Sequence, residues 1–163
     1  HGPDNRRRCG PALLRNWTTV WIGNLAGALL IAAAISQTSL ITGGFGTTAA
    51  KIAAGKMALA PLDIFVRAIL CNALVCLAVW LSFAATDVAG KILAIILPVA
   101  AFVALGLEHS IANMFLLPLG LMAGAEGSAA LAAQNIAIAT AGNILGGAGG
   151  VALAYRFAFK PQV

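Results

Sequence analysis

The chain has 163 residues, 61% of them hydrophobic and only 9% charged, with a formal net charge of +5 and a mean hydropathy of +0.94. A water-soluble domain carries about 25% charged residues, so too little polar surface is present to cover a soluble fold, and the chain reads as an integral membrane protein. Ala, Leu, Ile and Gly occur in long runs rather than in short alternating segments, which argues against an outer-membrane barrel and predicts an all-α helical bundle.

In chain order, residues 1–15 form a polar N-terminal segment with no initiator Met and no apolar signal core, read as a truncated start. Apolar segments follow at about 17–41, 62–85, 91–123 and 129–159, and residues 160–163 are a short tail. A span needs roughly 20 residues to cross the hydrocarbon layer, which suits the first two segments. The third would make a helix roughly 50 Å long, more than tilt accommodates. It holds Pro98, Gly106 and Pro118, which loosen or interrupt the backbone ladder, and the expected break falls near Gly106. Irregular backbone at membrane depth survives where protein or a water-filled cavity satisfies it, and in transporters such breaks mark the substrate path.

The basic residues report orientation. Arg6, Arg7, Arg8, Arg15, Lys91, Arg156 and Lys160 fall on one side, against Lys51 and Lys56, with Arg67 near the adjoining helix end. That asymmetry places both chain ends in the cytoplasm, with Arg67 expected to snorkel outward. The +5 charge therefore reports topology, and no nucleic-acid partner is expected. Cys9, Cys71 and Cys76 lack metal-ligand spacing and read as small apolar side chains. The first span holds GNLAG (Gly23, Asn24, Gly27) and the fourth GNILGG (Gly142, Asn143, Gly147). Small residues four apart allow close helix approach, and an Asn at the same place in both suggests a structural repeat.

Ionisable groups inside a span are functional by default. Here they are Glu108 and His109 in LGLEHSIAN, with Lys56 near the outer entrance to the second span. Asn72 lies mid-span in RAILCNALVCLAVW, and Asn24, Asn113 and Asn143 complete the polar set. Desolvation disfavours the imidazolium, so an empty site holds a neutral His109 ring, whereas an arriving small anion favours the charged form. That links anion passage to proton movement near physiological pH. Glu108 cannot share the direction of His109 on a helical backbone and reads as structural, held by Lys56 or by backbone N–H groups at the break, whose positive helix end also attracts anions. Ser110 has no GxSxG elbow or second acid, no metal-ligand set completes around His109, and no cofactor is expected. Paired Asn-Pro-Ala boxes, which a neutral-solute channel of aquaporin type wants, are lacking: Asn113 is followed by Met114.

RAILCNALVCLAVW followed by LPVAAFVALGLEHSIANMFLLPLG strongly resembles the formate/nitrite transporter family, and Asn16-Trp17, GNLAG and GNILGG match its other markers. Within the family, GLEHSIANMF looks most like the formate channels, with nitrite and hydrosulfide channels next. The resemblance implies an aquaporin-like bundle, a homopentamer with one pore per protomer in the inner (plasma) membrane, and passage of small monovalent anions, in some members with a proton. It implies that His109 is the central pore histidine, that Lys56 is the family's lysine, and that Glu108, Asn72, Asn113 and Asn143 group around the histidine. Phe102 would line the outer constriction and Val75 the inner one. The four spans here correspond to the family's third to sixth. The first two, with the mobile loop whose Thr faces the histidine, have no counterpart, so a non-functional fragment is the remaining alternative.

Overall fold

The computed structural model describes residues 4–152, with side chains from Gly10 to Gly150. The described chain runs through α1 (Asp4–Ser36), a 3-10 turn (Ser39–Thr42), α2 (Gly44–Met57), α3 (Pro61–Ala84), α4 (Val88–Ala104), α5 (Ser110–Met122) and α6 (Ala129–Ile144), which continues as a π-helical stretch, Leu145–Ala152. Gly10–Ser36, Pro61–Ala84 and Ala129–Gly150 are each long and apolar enough to cross a membrane, whereas α4 and α5 are too short to do so alone. Together those two make the interrupted segment. Leu30, Phe83, Val88 and Leu97 are each more than two-thirds exposed, an arrangement that suits a lipid surface and not water.

Local chemistry sets the boundaries. Pro61 occupies the first turn of α3 after extended Ala60, with Asp63 beside it, which suits both the fixed φ of proline and the positive helix end. Asp87 caps α4 by accepting from Gly90 N at 2.8 Å, and Ser128 caps α6 by accepting from Leu131 N at 3.2 Å. The break is a glycine stop followed by a restart. Gly106 has φ +63; Leu107 N donates to Phe102 O at 3.0 Å and Gly106 N to Val103 O at 3.1 Å. These paired bonds around a left-handed glycine satisfy the last carbonyls of α4. The same device closes α5 at Gly124, φ +89, where Ala125 N donates to Gly120 O at 2.8 Å. Pro98 and Pro118 stay inside α4 and α5, so glycine alone makes the interruption.

Several boundaries differ from the sequence reading. The first helix begins by Asp4, within residues 1–15, expected to form a polar N-terminal segment, and stops at Ser36 rather than near 41. Hydropathy marks what lipid will cover, not where a helix can extend into water. The connection after it contains α2, which lies between the apolar segments marked from sequence. Its buried stripe, Gly46, Ala49, Ala53 and Met57, has helical spacing, but small residues and two lysines keep it below a hydropathy threshold. Residues 153–159 of the fourth segment, with Arg156, and Lys160 in the tail lie outside the described residues.

Packing follows small residues. α3 lies against α6 and α4, while α5 lies against α2, α1 and α6. A Cβ at Gly142 would come within 2.6 Å of Phe65 O and of Ala68 Cβ, so α6 meets α3 at a distance only glycine allows. Gly23 and Gly27 on α1 meet nothing within 4 Å. The two GN motifs are therefore not packed alike: the later one is an interface, and the earlier one faces an open groove.

Candidate functional site

The site grows out of the break. His109 is the N-cap of α5, with φ −111 and ψ 114, and its Nδ1 accepts from Ala112 N at 3.3 Å. A ring nitrogen that accepts carries no proton, so the cap needs the neutral tautomer with its proton on Nε2. Extended backbone sends successive side chains to opposite sides, which separates Glu108 from its neighbour. The His109 ring stacks on Phe102 of α4 with centroids 5.8 Å apart, whereas Glu108 is wholly buried.

Every oxygen of that buried carboxylate has a donor. Lys56 Nζ lies 2.7 Å from Oε1 and donates at 3.4 Å to Leu107 O. Asn113 Nδ2 donates to Oε2 at 2.6 Å, and Asn135 Nδ2 at 3.3 Å. A charge pair in so apolar a place persists only when the remaining lone pairs are satisfied in this way. Lys56 sits in the last turn of α2, so the helix missed from sequence is the one that delivers the cation.

Asn143 does a different task. Its Oδ1 accepts from Ser110 N at 2.9 Å, and its Nδ2 donates to Glu108 O at 3.0 Å and Ala68 O at 2.8 Å. It grips the backbone on both sides of His109 and ties the break to α3. Asn72 in turn donates to Asn143 O. Arg67 does not simply reach outward: Nε donates to Asp63 Oδ1 at 2.8 Å, and Nη1 reaches Gly106 O at 3.5 Å, bracing the glycine stop from α3.

An open groove of about 500 Å³ runs beside the start of α5. Trp17, Trp21 and Asn24 of α1 line it, together with Asn72, Ser110 and Asn143. A second groove, along Gly23, Gly27, Ile111 and Phe115, adjoins it at Asn24. Lys56, Glu108 and Asn113 lie behind the wall, not in it.

Of the residues singled out from sequence, the structure brings Lys56, Glu108 and Asn113 into one hydrogen-bonded cluster and sets Asn143 and Asn72 on its backbone. Phe102 joins His109 through ring stacking. Val75, half-buried on α3 one turn beyond Asn72, belongs to neither group. Sequence reasoning missed Asn135, buried on α6 and bonded to Glu108, Asn113 and Lys56 O. Its signal was faint: an Asn eight positions before Asn143, in an Ala-rich helix beside the equally polar Gln134.

An all-helical membrane bundle whose broken span presents a capped helix start amid buried polar groups is built as channels and transporters are. Residues 5–157 match the family described as formate/nitrite transporter, and the chain belongs to that family. It is 41% identical over 166 residues to a probable formate transporter of Methanothermobacter thermautotrophicus, covering 92% of this chain and 61% of that one. It is also 41% identical over 113 residues to the formate channel FocA of Haemophilus influenzae, covering 68% and 40% of the two chains. A solved pentameric formate channel with formate bound superposes with a TM-score of 0.80 at 34% identity, covering 90% of this chain and 66% of that one. The chain thus spans 61% and 40% of the lengths of these two curated relatives.

Proposed function

We propose that the chain forms the pore-lining part of a channel for small monovalent anions, formate first, with nitrite and hydrosulfide as the neighbouring alternatives. The observation that carries this reading is the interruption at residues 105–109, where α5 starts on a histidine cap inside an apolar bundle. A helix start offers its positive end to an anion. The nearby Lys56–Glu108 pair neutralises itself, so it neither repels the anion nor holds it too tightly to leave.

In this account the Nε2–H of His109 donates a hydrogen bond to the passing anion; a proton that travels with the anion is taken up at Nδ1, which lets go of Ala112 N, and the imidazolium gives the same proton back as the anion leaves. Asn72 and Asn143 keep the broken backbone in place while the anion moves. Phe102 and Val75 act as the apolar constrictions on either side. The assembly is a homopentamer in the inner (plasma) membrane with both ends of the chain cytoplasmic, and it is not an enzyme. The relatives named for formate transport and the pentameric neighbour support this reading by similarity.

The test is solute selectivity in proteoliposomes. Formate and nitrite should enter well above the leak of empty vesicles, and glycerol should not. Glycerol entry as fast as formate entry, or formate entry at the leak rate, would reject the proposal.

A further inference from the structure

We infer that Asn135 is a positioning residue of the anion site, setting the Glu108 carboxylate against Lys56 and so fixing the break that His109 caps. The inference rests on the function proposed above and adds a residue that neither the motifs nor the resemblance pointed to.

Asn135 is 1% exposed and reads both members of the ion pair at once. Its Nδ2 donates to Glu108 Oε2 at 3.3 Å and to the backbone oxygen of Lys56 at 3.1 Å. Its Oδ1 accepts from Asn113 Nδ2 at 2.8 Å. The amide orientation is forced, because both groups facing Nδ2 are acceptors and a flipped amide would set oxygen against oxygen. Each amide hydrogen therefore has one partner, and the oxygen has a third.

The geometry closes a ring. Lys56 Nζ holds Glu108 Oε1, Glu108 Oε2 holds Asn135, and Asn135 holds the main chain of Lys56. Through it α6 controls the separation between the end of α2 and the residue preceding His109. Neutral hydrophobic packing at this position would leave Oε2 with Asn113 alone and release the α2 carbonyl, and a partly satisfied buried network loses more than one bond's worth of order. The ionisable groups facing Asn135 are Glu108, from the break, and Lys56, from α2. The His109 ring is engaged with Phe102 instead.

Asn135→Asp supplies the discriminating variant, being nearly isosteric. Protonated, it still donates one hydrogen bond and accepts from Asn113; ionised, it sets a second carboxylate beside Glu108, which repels it. Formate flux relative to the unsubstituted protein should be near parity at about pH 5 and fall roughly tenfold at about pH 8. Asn135→Leu should be depressed at both values, and Asn135→Ser, which keeps one donor, should recover part of the loss.

A second readout is independent of transport. The chain has only five Asp and Glu residues, so the Glu108 carboxylate stretch can be assigned as the infrared band lost in Glu108→Gln. Asn135→Leu should shift that band. An unmoved band overturns the inference. So does a shifted band accompanied by an Asn135→Asp flux ratio that is flat with pH, because Asn135 would then serve the fold alone. If the unsubstituted protein passes no formate, the function proposal fails, and the band alone decides whether Asn135 sets the carboxylate.

Discussion

Glu108 and His109 are adjacent but have separate tasks: His109 caps α5, while Glu108 pairs with Lys56. The carboxylate is fully buried and its ammonium partner nearly so, at 0% and 14% side-chain exposure. Removing one member of such a pair leaves an uncompensated charge in an apolar setting, which costs about 3–5 kcal/mol, whereas replacing both with apolar residues is often neutral. Lys56→Met should therefore lower the unfolding midpoint in detergent sharply, and Lys56→Met combined with Glu108→Leu should regain much of it. Equal midpoints for the single variant and the unsubstituted protein would mean that the pair is not a structural element. LGLEHSIAN announced itself by two ionisable residues in an apolar run, so this much was legible beforehand. Asn135 was not, because a lone Asn in an Ala-rich helix gains meaning only when the fold brings three partners to it.

At the scale of the element, glycines decide where helices stop and where they touch, and the two uses differ in their mutational signature. Gly106→Ala meets little crowding, since the nearest atom is Arg67 Nη1 at 3.9 Å, but it forces a Cβ residue to φ +63, at about 1–2 kcal/mol. Gly142→Ala keeps helical backbone yet drives its methyl to 2.6 Å from Phe65 O, an overpacking cost of about 1–3 kcal/mol. Gly23→Ala meets nothing within 4 Å and should lie within about 0.5 kcal/mol of the unsubstituted protein. Thermal melts of the three variants check the ordering, and a Gly23→Ala as damaging as Gly142→Ala would contradict the close-packing account. The break was readable because an apolar run too long for the bilayer contained a glycine. α2 was not, because Ala and Gly at helical spacing carry little hydropathy and its packing partner, Gly120, lies more than sixty residues away.

For the molecule as a whole, the broken span, the family membership and the superposition on a formate channel converge on a membrane bundle organised around residues 105–109. The function proposed for it gives His109 two roles, cap of α5 when the ring is neutral and carrier of the anion's proton when it is charged. His109→Asn separates those roles, because Asn is a favoured N-cap and does not titrate. The decisive measurement is formate flux into proteoliposomes across roughly pH 5–8, the range in which histidine changes charge. The account predicts that the unsubstituted protein shows a pH-dependent flux and that His109→Asn, still folded, loses that dependence. A variant whose flux follows the same pH profile would contradict it and remove His109 from the mechanism.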